Sequence, residues 1–146
     1  MKVSQQGNTV ILEDIKHFNP KHIFECGQCF RWIKQEDDSY TGVAMGKVIN
    51  VKQDGDKIYL DNTTKEDFDN IWYDYFDLGR DYEEMVNTLK VMDEYLEKAT
   101  EFGEGIRILK QDGWEMLISF IISANNRIPM IQRAINNLSK NYGTYI

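Results

Sequence analysis

The apolar pattern of this chain changes period once, near residue 62, and a chain that switches in this way segregates strands from helices. Before the switch the runs are short and β-prone. They are Thr9-Val10-Ile11-Leu12, then Ile23 to Trp32 with Phe30 and Trp32 on one face, then Tyr40 to Val51. Asp54-Gly55 lies between Val48-Ile49-Asn50-Val51 and Ile58-Tyr59-Leu60. Such a pair between two β-prone runs marks a hairpin, because glycine accepts the positive φ of the turn. The reading is a small twisted antiparallel sheet.

After the switch the spacing is helical. Thr63-Thr64-Lys65-Glu66 fits a capping box ahead of the stripe Phe68, Ile71, Trp72, Tyr75 and Phe76, which Gly79 ends. Asp81 caps a second helix with the stripe Met85, Leu89, Met92 and Leu96, broken by Gly103 and Gly105. Asp112 opens a third, running to about Ser123, whose Trp114, Leu117, Ile118, Phe120, Ile121 and Ile122 cover nearly its whole circumference. A helix apolar all round is expected to be buried on most sides. Pro129 suits the first turn of a fourth, with the stripe Ile131, Ala134, Ile135 and Leu138 and a stop at Gly143. Few residues remain to cover the third helix, so the pattern calls for a continuation beyond Ile146. The predicted fold class is α+β: a small twisted antiparallel sheet with packed helices, followed by further helices that lack cover.

At 146 residues, a compact fold buries about two-thirds of its extended surface, enough for a core without metal or disulfide staples. No apolar run reaches the length of a membrane span. The polar stretch Met1–Val10 lacks the apolar core of a secretion signal, and the expected location is the cytoplasm. The net charge of −7 is an average over unlike parts. Residues 1–60 hold 8 bases and 8 acids, residues 61–104 hold 4 and 14, and residues 105–146 hold 5 and 2. The acidic total argues against a nucleic-acid partner only for the middle, where the acids read as solvated helix faces.

Candidate chemistry is sparse. Cys26-Gly27-Gln28-Cys29 is a lone C-x-x-C, and His17 and His22 lie upstream. The spacing matches no common zinc module, and a redox pair needs a following helix N-terminus, whereas Phe30-Arg31-Trp32 reads as strand. Two reduced, partly buried thiols are the plain alternative to a redox or metal module. The turn Ser123-Ala124-Asn125-Asn126-Arg127 is more informative. One reading is a helix N-cap by Asn125 or Asn126 with a solvated arginine. The other is a polar tip that reaches DNA, since Asn donates and accepts at base edges and helix N-termini hold phosphate.

Gly27-Gln28-Cys29-Phe30-Arg31-Trp32, followed by Ile106-Arg107-Ile108-Leu109-Lys110-Gln111-Asp112 and by Ser119-Phe120-Ile121-Ile122-Ser123-Ala124-Asn125-Asn126, resembles the 8-oxoguanine DNA glycosylase family. Tyr75-Phe76-Asp77-Leu78 falls where that family has a similar aromatic block. The likeness runs from about Leu12 to Gly143. It implies an N-terminal α+β domain over residues 1–104 and the start of a helix-hairpin-helix domain, truncated, over residues 105–146.

The resemblance implies a role in base excision repair, by flipping of the damaged base and Schiff-base chemistry on a lysine with an assisting aspartate, without metal or cofactor. In the family those two residues lie downstream of the matched region, so no catalytic residue is expected in this chain and the chain alone is expected to be inactive. Gly27 matches the glycine whose carbonyl reads the lesion. Asn125 matches the asparagine at the base opposite, with Asn126 and Arg127 beside it. Met130 stands where animal relatives carry an arginine that reads the opposite cytosine. The implied partner is damaged double-stranded DNA, and exposed apolar helices would favour self-association. The competing reading is a non-catalytic protein-interaction module.

Overall fold

In the computed structural model, which describes residues 1–146, six antiparallel strands form one sheet in the order β1-β2-β6-β5-β4-β3. The strands are β1 (Lys2–Gln6), β2 (Thr9–Glu13), β3 (Trp32–Lys34), β4 (Tyr40–Ala44), β5 (Lys47–Asp54) and β6 (Lys57–Asp61). Register follows the pleat: Val10 pairs with Leu60, and Leu60 with Val51, so three buried side chains line up across the centre. The predicted hairpin is present, one residue displaced. Asp54 pairs with Lys57, and Gly55-Asp56 is the two-residue loop, with Gly55 at φ +60°. The run Tyr40–Val51 is two strands, because Met45 and Gly46 both take positive φ and turn the chain.

One predicted strand is a helix. Pro20–Glu25 forms α1, capped by Asn19, whose side chain accepts from the His22 amide at 3.3 Å. Proline in the first turn and an asparagine cap outweigh the β preference of Ile23 and Phe24, which the helix buries. Strand β1 was not foreseen. Its sequence Lys-Val-Ser-Gln-Gln has one half-buried residue, and backbone pairing with β2 makes it a polar edge strand.

The first predicted helical stretch is continuous from α2 (Lys65–Asp67) through a wide π turn (Phe68–Trp72) into α3 (Tyr73–Tyr75). The cap is Thr64, which accepts from the Asp67 amide. Thr63 instead accepts a hydrogen bond from Trp72 Nε1 at 2.8 Å inside the core. Phe68, Trp72, Tyr75 and Phe76 are all buried and pack with Ile23, Phe24, Trp32, Ile49 and Leu60 in one core cluster.

The second predicted helix is two: α4 (Tyr82–Lys90) and α5 (Glu94–Phe102), with Asp93 capping the latter. Tyr82 is the one buried residue of the pair. Met92, expected on a core stripe, is exposed. After an irregular segment, α6 (Gly113–Ser123) and α7 (Ile128–Tyr142) form a helical hairpin. The expectation of burial around α6 is not met within these residues: it has no buried side chain, and Trp114 and Phe120 are 71% and 74% exposed.

Candidate functional site

Gly27 sits in the loop between α1 and β3 at φ +88°, a backbone state that suits glycine. A side chain there would meet Ile128 Cδ1, the first residue of α7, at 3.7 Å. The loop and the start of α7 thus face each other across a cavity of about 640 Å³, shared with Arg31, Trp32, Tyr40 and Arg133. Arg31 pairs with Glu115 of α6 at 3.3 Å, and Lys34 with Asp38 at 2.7 Å.

The wall of this cavity is rigid aromatic packing. Phe24 stacks on Trp32 with centroids 4.0 Å apart, and Trp32 Nε1 donates to Tyr75 Oη at 3.0 Å. Gly42 pairs with Trp32 across β3 and β4, and a Cβ there would overlap the indole. The Tyr40 hydroxyl donates to Glu25 at 2.6 Å, and burial together with that carboxylate raises its pKa.

The other side of the loop is tied to the segment before α6. The Gln28 side chain donates to the carbonyls of Ile23 at 2.9 Å and Arg107 at 2.8 Å, and accepts from the Leu109 amide at 2.9 Å. Gln111 donates to the Gln28 carbonyl at 2.6 Å. Arg107, 4% exposed, donates to the carbonyls of His17, Asp77 and Lys16 and lies 4.5 Å from the Tyr82 ring centroid. Burial lowers its pKa, opposed by the charge of Asp77. Sequence reasoning quoted these residues as two separate blocks and gave Gln28, Arg107 and Gln111 no role. Each block contains a glutamine, Gln28 and Gln111, but nothing in their spacing tells which backbone groups those side chains meet.

The tip residues are all on the surface. Asn125 has φ +52°, and Asn125, Asn126, Arg127 and Met130 are exposed, Met130 by 52%. Asn126 does not cap α7. Its side chain donates to the Ile122 carbonyl at 3.2 Å and accepts from the Arg127 amide at 2.9 Å, closing the end of α6. Arg127 holds the cap position of α7 without a side-chain bond. The structure therefore brings Gly27 to the start of α7 and leaves the tip projecting beyond.

Cys26 is exposed and Cys29 buried, and burial pushes the Cys29 thiol up, away from the reactive thiolate. His22 Nδ1 bonds the Glu104 carbonyl at 2.7 Å. No three His, Cys, Asp or Glu side chains converge, so the imagined set of Cys26, Cys29, His17 and His22 does not assemble. No helix is long and apolar enough to cross a membrane.

Comparison with known proteins gives the geometry a context. A family profile described as 8-oxoguanine DNA glycosylase, N-terminal domain, matches residues 10–117. An N-glycosylase/DNA lyase of Saccharomyces cerevisiae is 32% identical, over 86% of this chain and 36% of its own length. The fold superposes on MBOgg1 in complex with a low-affinity DNA ligand, with a TM-score of 0.96 and 53% identity, over 99% of this chain and 50% of that one. It also superposes on the Clostridium acetobutylicum 8-oxoguanine glycosylase/lyase bound to double-stranded DNA containing cytosine opposite 8-oxoguanine. There the TM-score is 0.97 and the identity 47%, over 100% of this chain and 50% of that one. This chain spans about a third to a half of the length of these relatives.

Proposed function

Since the chain belongs to the 8-oxoguanine DNA glycosylase family through its N-terminal domain, we propose that it is the lesion-reading part of a glycosylase/AP lyase that removes 8-oxoguanine from duplex DNA in base excision repair. The observation that carries this reading is the meeting of the Gly27 loop with the first turn of α7. It occurs in a fold that superposes on a relative solved with lesion DNA.

The chemistry of discrimination follows from one hydrogen. 8-Oxoguanine bears an N–H at N7, where guanine has a lone pair. A backbone carbonyl at Gly27 accepts from the first and repels the second. Glycine leaves no side chain between that carbonyl and the base. Asn125 at the exposed tip contacts the base opposite the lesion and helps fill the gap left by the flipped nucleotide, with Asn126 beside it near the DNA and Arg127 adding a phosphate contact. Met130 has no donor for a cytosine edge, so discrimination of the opposite base is loose. We divide the chain into a reading domain over 1–104 and the opening helices of a second domain over 105–146. The attacking lysine and its aspartate belong to the half that the relatives carry in addition, and that half covers the apolar face of α6 and α7.

Borohydride trapping on an 8-oxoguanine duplex tests this. The 146-residue chain alone gives no covalent adduct, whereas the full gene product does. An adduct with the short chain overturns its silence, and a full gene product that neither traps nor prefers lesion DNA overturns the assignment.

A further inference from the structure

A reading carbonyl works only if its position is held to within the narrow range of a hydrogen bond, about 2.7–3.2 Å between heavy atoms. Gly27, at φ +88°, is the residue least able to hold itself. The bonds that hold it come from its neighbour. Both N–H donors of the Gln28 amide are used, on Ile23 and Arg107, and its oxygen accepts from Leu109. The bond to Ile23 closes a ring of chain around Gly27, from the last turn of α1 to the residue after the glycine. The Gln111 amide then fixes the carbonyl of Gln28 itself at 2.6 Å.

Three of these bonds anchor residues 107–111, and the next residue, Asp112, caps α6 by accepting from the Glu115 amide at 2.9 Å. The clamp therefore fixes the loop and the entry to the helical hairpin that brings Ile128 over it. Gln28 is half-buried, and with its partners it leaves no buried side-chain polar atom unsatisfied.

We propose that Gln28 and Gln111 are positioning residues for lesion discrimination: they set the Gly27 backbone against α7 without touching the base. This rests on the reading of Gly27 given above. Removing the Gln28 amide leaves the Arg107 carbonyl and the Leu109 amide without partners, and leaves the Ile23 carbonyl to the Cys26 thiol. The glycine is freed, so the reading carbonyl wanders while the DNA-facing tip is unchanged.

The test is the ratio of affinities for an 8-oxoguanine duplex and its guanine counterpart, measured on the full gene product. Gln28→Met keeps the volume and removes the bonds, and the ratio falls by about tenfold with affinity for the guanine duplex unchanged. Gln111→Met loses one bond and gives a drop of about threefold. Thr63→Val, which removes the buried bond to Trp72 elsewhere in the core, lowers thermal stability and leaves the ratio intact. If Gln28→Met does not fold, Gln111→Met carries the test alone. A wild-type protein that shows no lesion preference defeats the functional reading itself. A preference kept by both glutamine variants, or lost equally in Thr63→Val, defeats the positioning role while the functional reading stands.

Discussion

On the proposed function, Met130 is the residue at which specificity for the opposite base can be rewritten by one change. It is exposed on the first turn of α7, two residues beyond the Ile128 that overhangs Gly27. A thioether offers only a weak acceptor, whereas a guanidinium offers paired donors. In the full gene product, Met130→Arg is expected to raise the preference for cytosine opposite the lesion by about tenfold, read from excision on duplexes that differ only in that base. Met130 is singled out in the sequence by its position four residues after the block Ser119–Asn126 that carries the resemblance. The Gln28 clamp is not, because three of its four bonds join residues 79 to 83 positions apart. Linear spacing carries no sign of which backbone groups a glutamine will meet.

At the scale of elements, the junction between α3 and α4 contributes to the pH dependence of stability through a buried carboxylate. Asp77 Oδ2 accepts from Tyr82 Oη at 2.9 Å and Arg80 Nε at 2.7 Å. Burial works against its charge, yet these bonds and the charge of Arg80 prevail and hold its carboxyl below the usual range. The folded protein thus binds this proton less readily than the unfolded chain. The stability that Asp77 contributes is whole above the unfolded pKa of about 3.9 and is lost as pH falls through it toward the lower folded value. Asp77→Asn is expected to lower the melting temperature by roughly 5 °C at neutral pH and to flatten its decline between pH 5 and 3, followed by circular dichroism.

Elements were legible where one local signal dominated, as in the helix over Phe68–Phe76 and the β5–β6 hairpin. They were misread where two signals competed. In Pro20–Glu25 a cap and a proline overrode β-branched and aromatic residues, and at Asp93 a cap split what the stripe made continuous.

For the whole molecule, the apolar surface of α6 is the dominant fact. Its apolar side chains run nearly all round the helix, and these residues bury none of them where the pattern predicts burial. Exposed apolar area of this kind drives association. The 146-residue chain is expected to elute above its 17.2 kDa mass in size-exclusion chromatography and to brighten a dye that binds apolar surface. Trp114→Ser with Phe120→Ser should return it to a monomer. A clean monomer without dye binding in the wild-type chain would refute the expectation.

The acidic pair α4 and α5 stands apart from all this. The chain leaves the body at Tyr82, and the hydroxyl of that residue accepts from the amide of Ile108, on the irregular segment that returns, at 2.9 Å. Departure and return are one hydrogen bond apart, and between them almost nothing is buried. Residues 83–103 are in effect a side branch hung from a closed frame. A branch of this kind can lengthen, shorten or change its charge from one relative to the next at little cost to the frame. A strongly acidic stretch can therefore lie between two parts whose proposed work is to hold DNA without disturbing the packing of either.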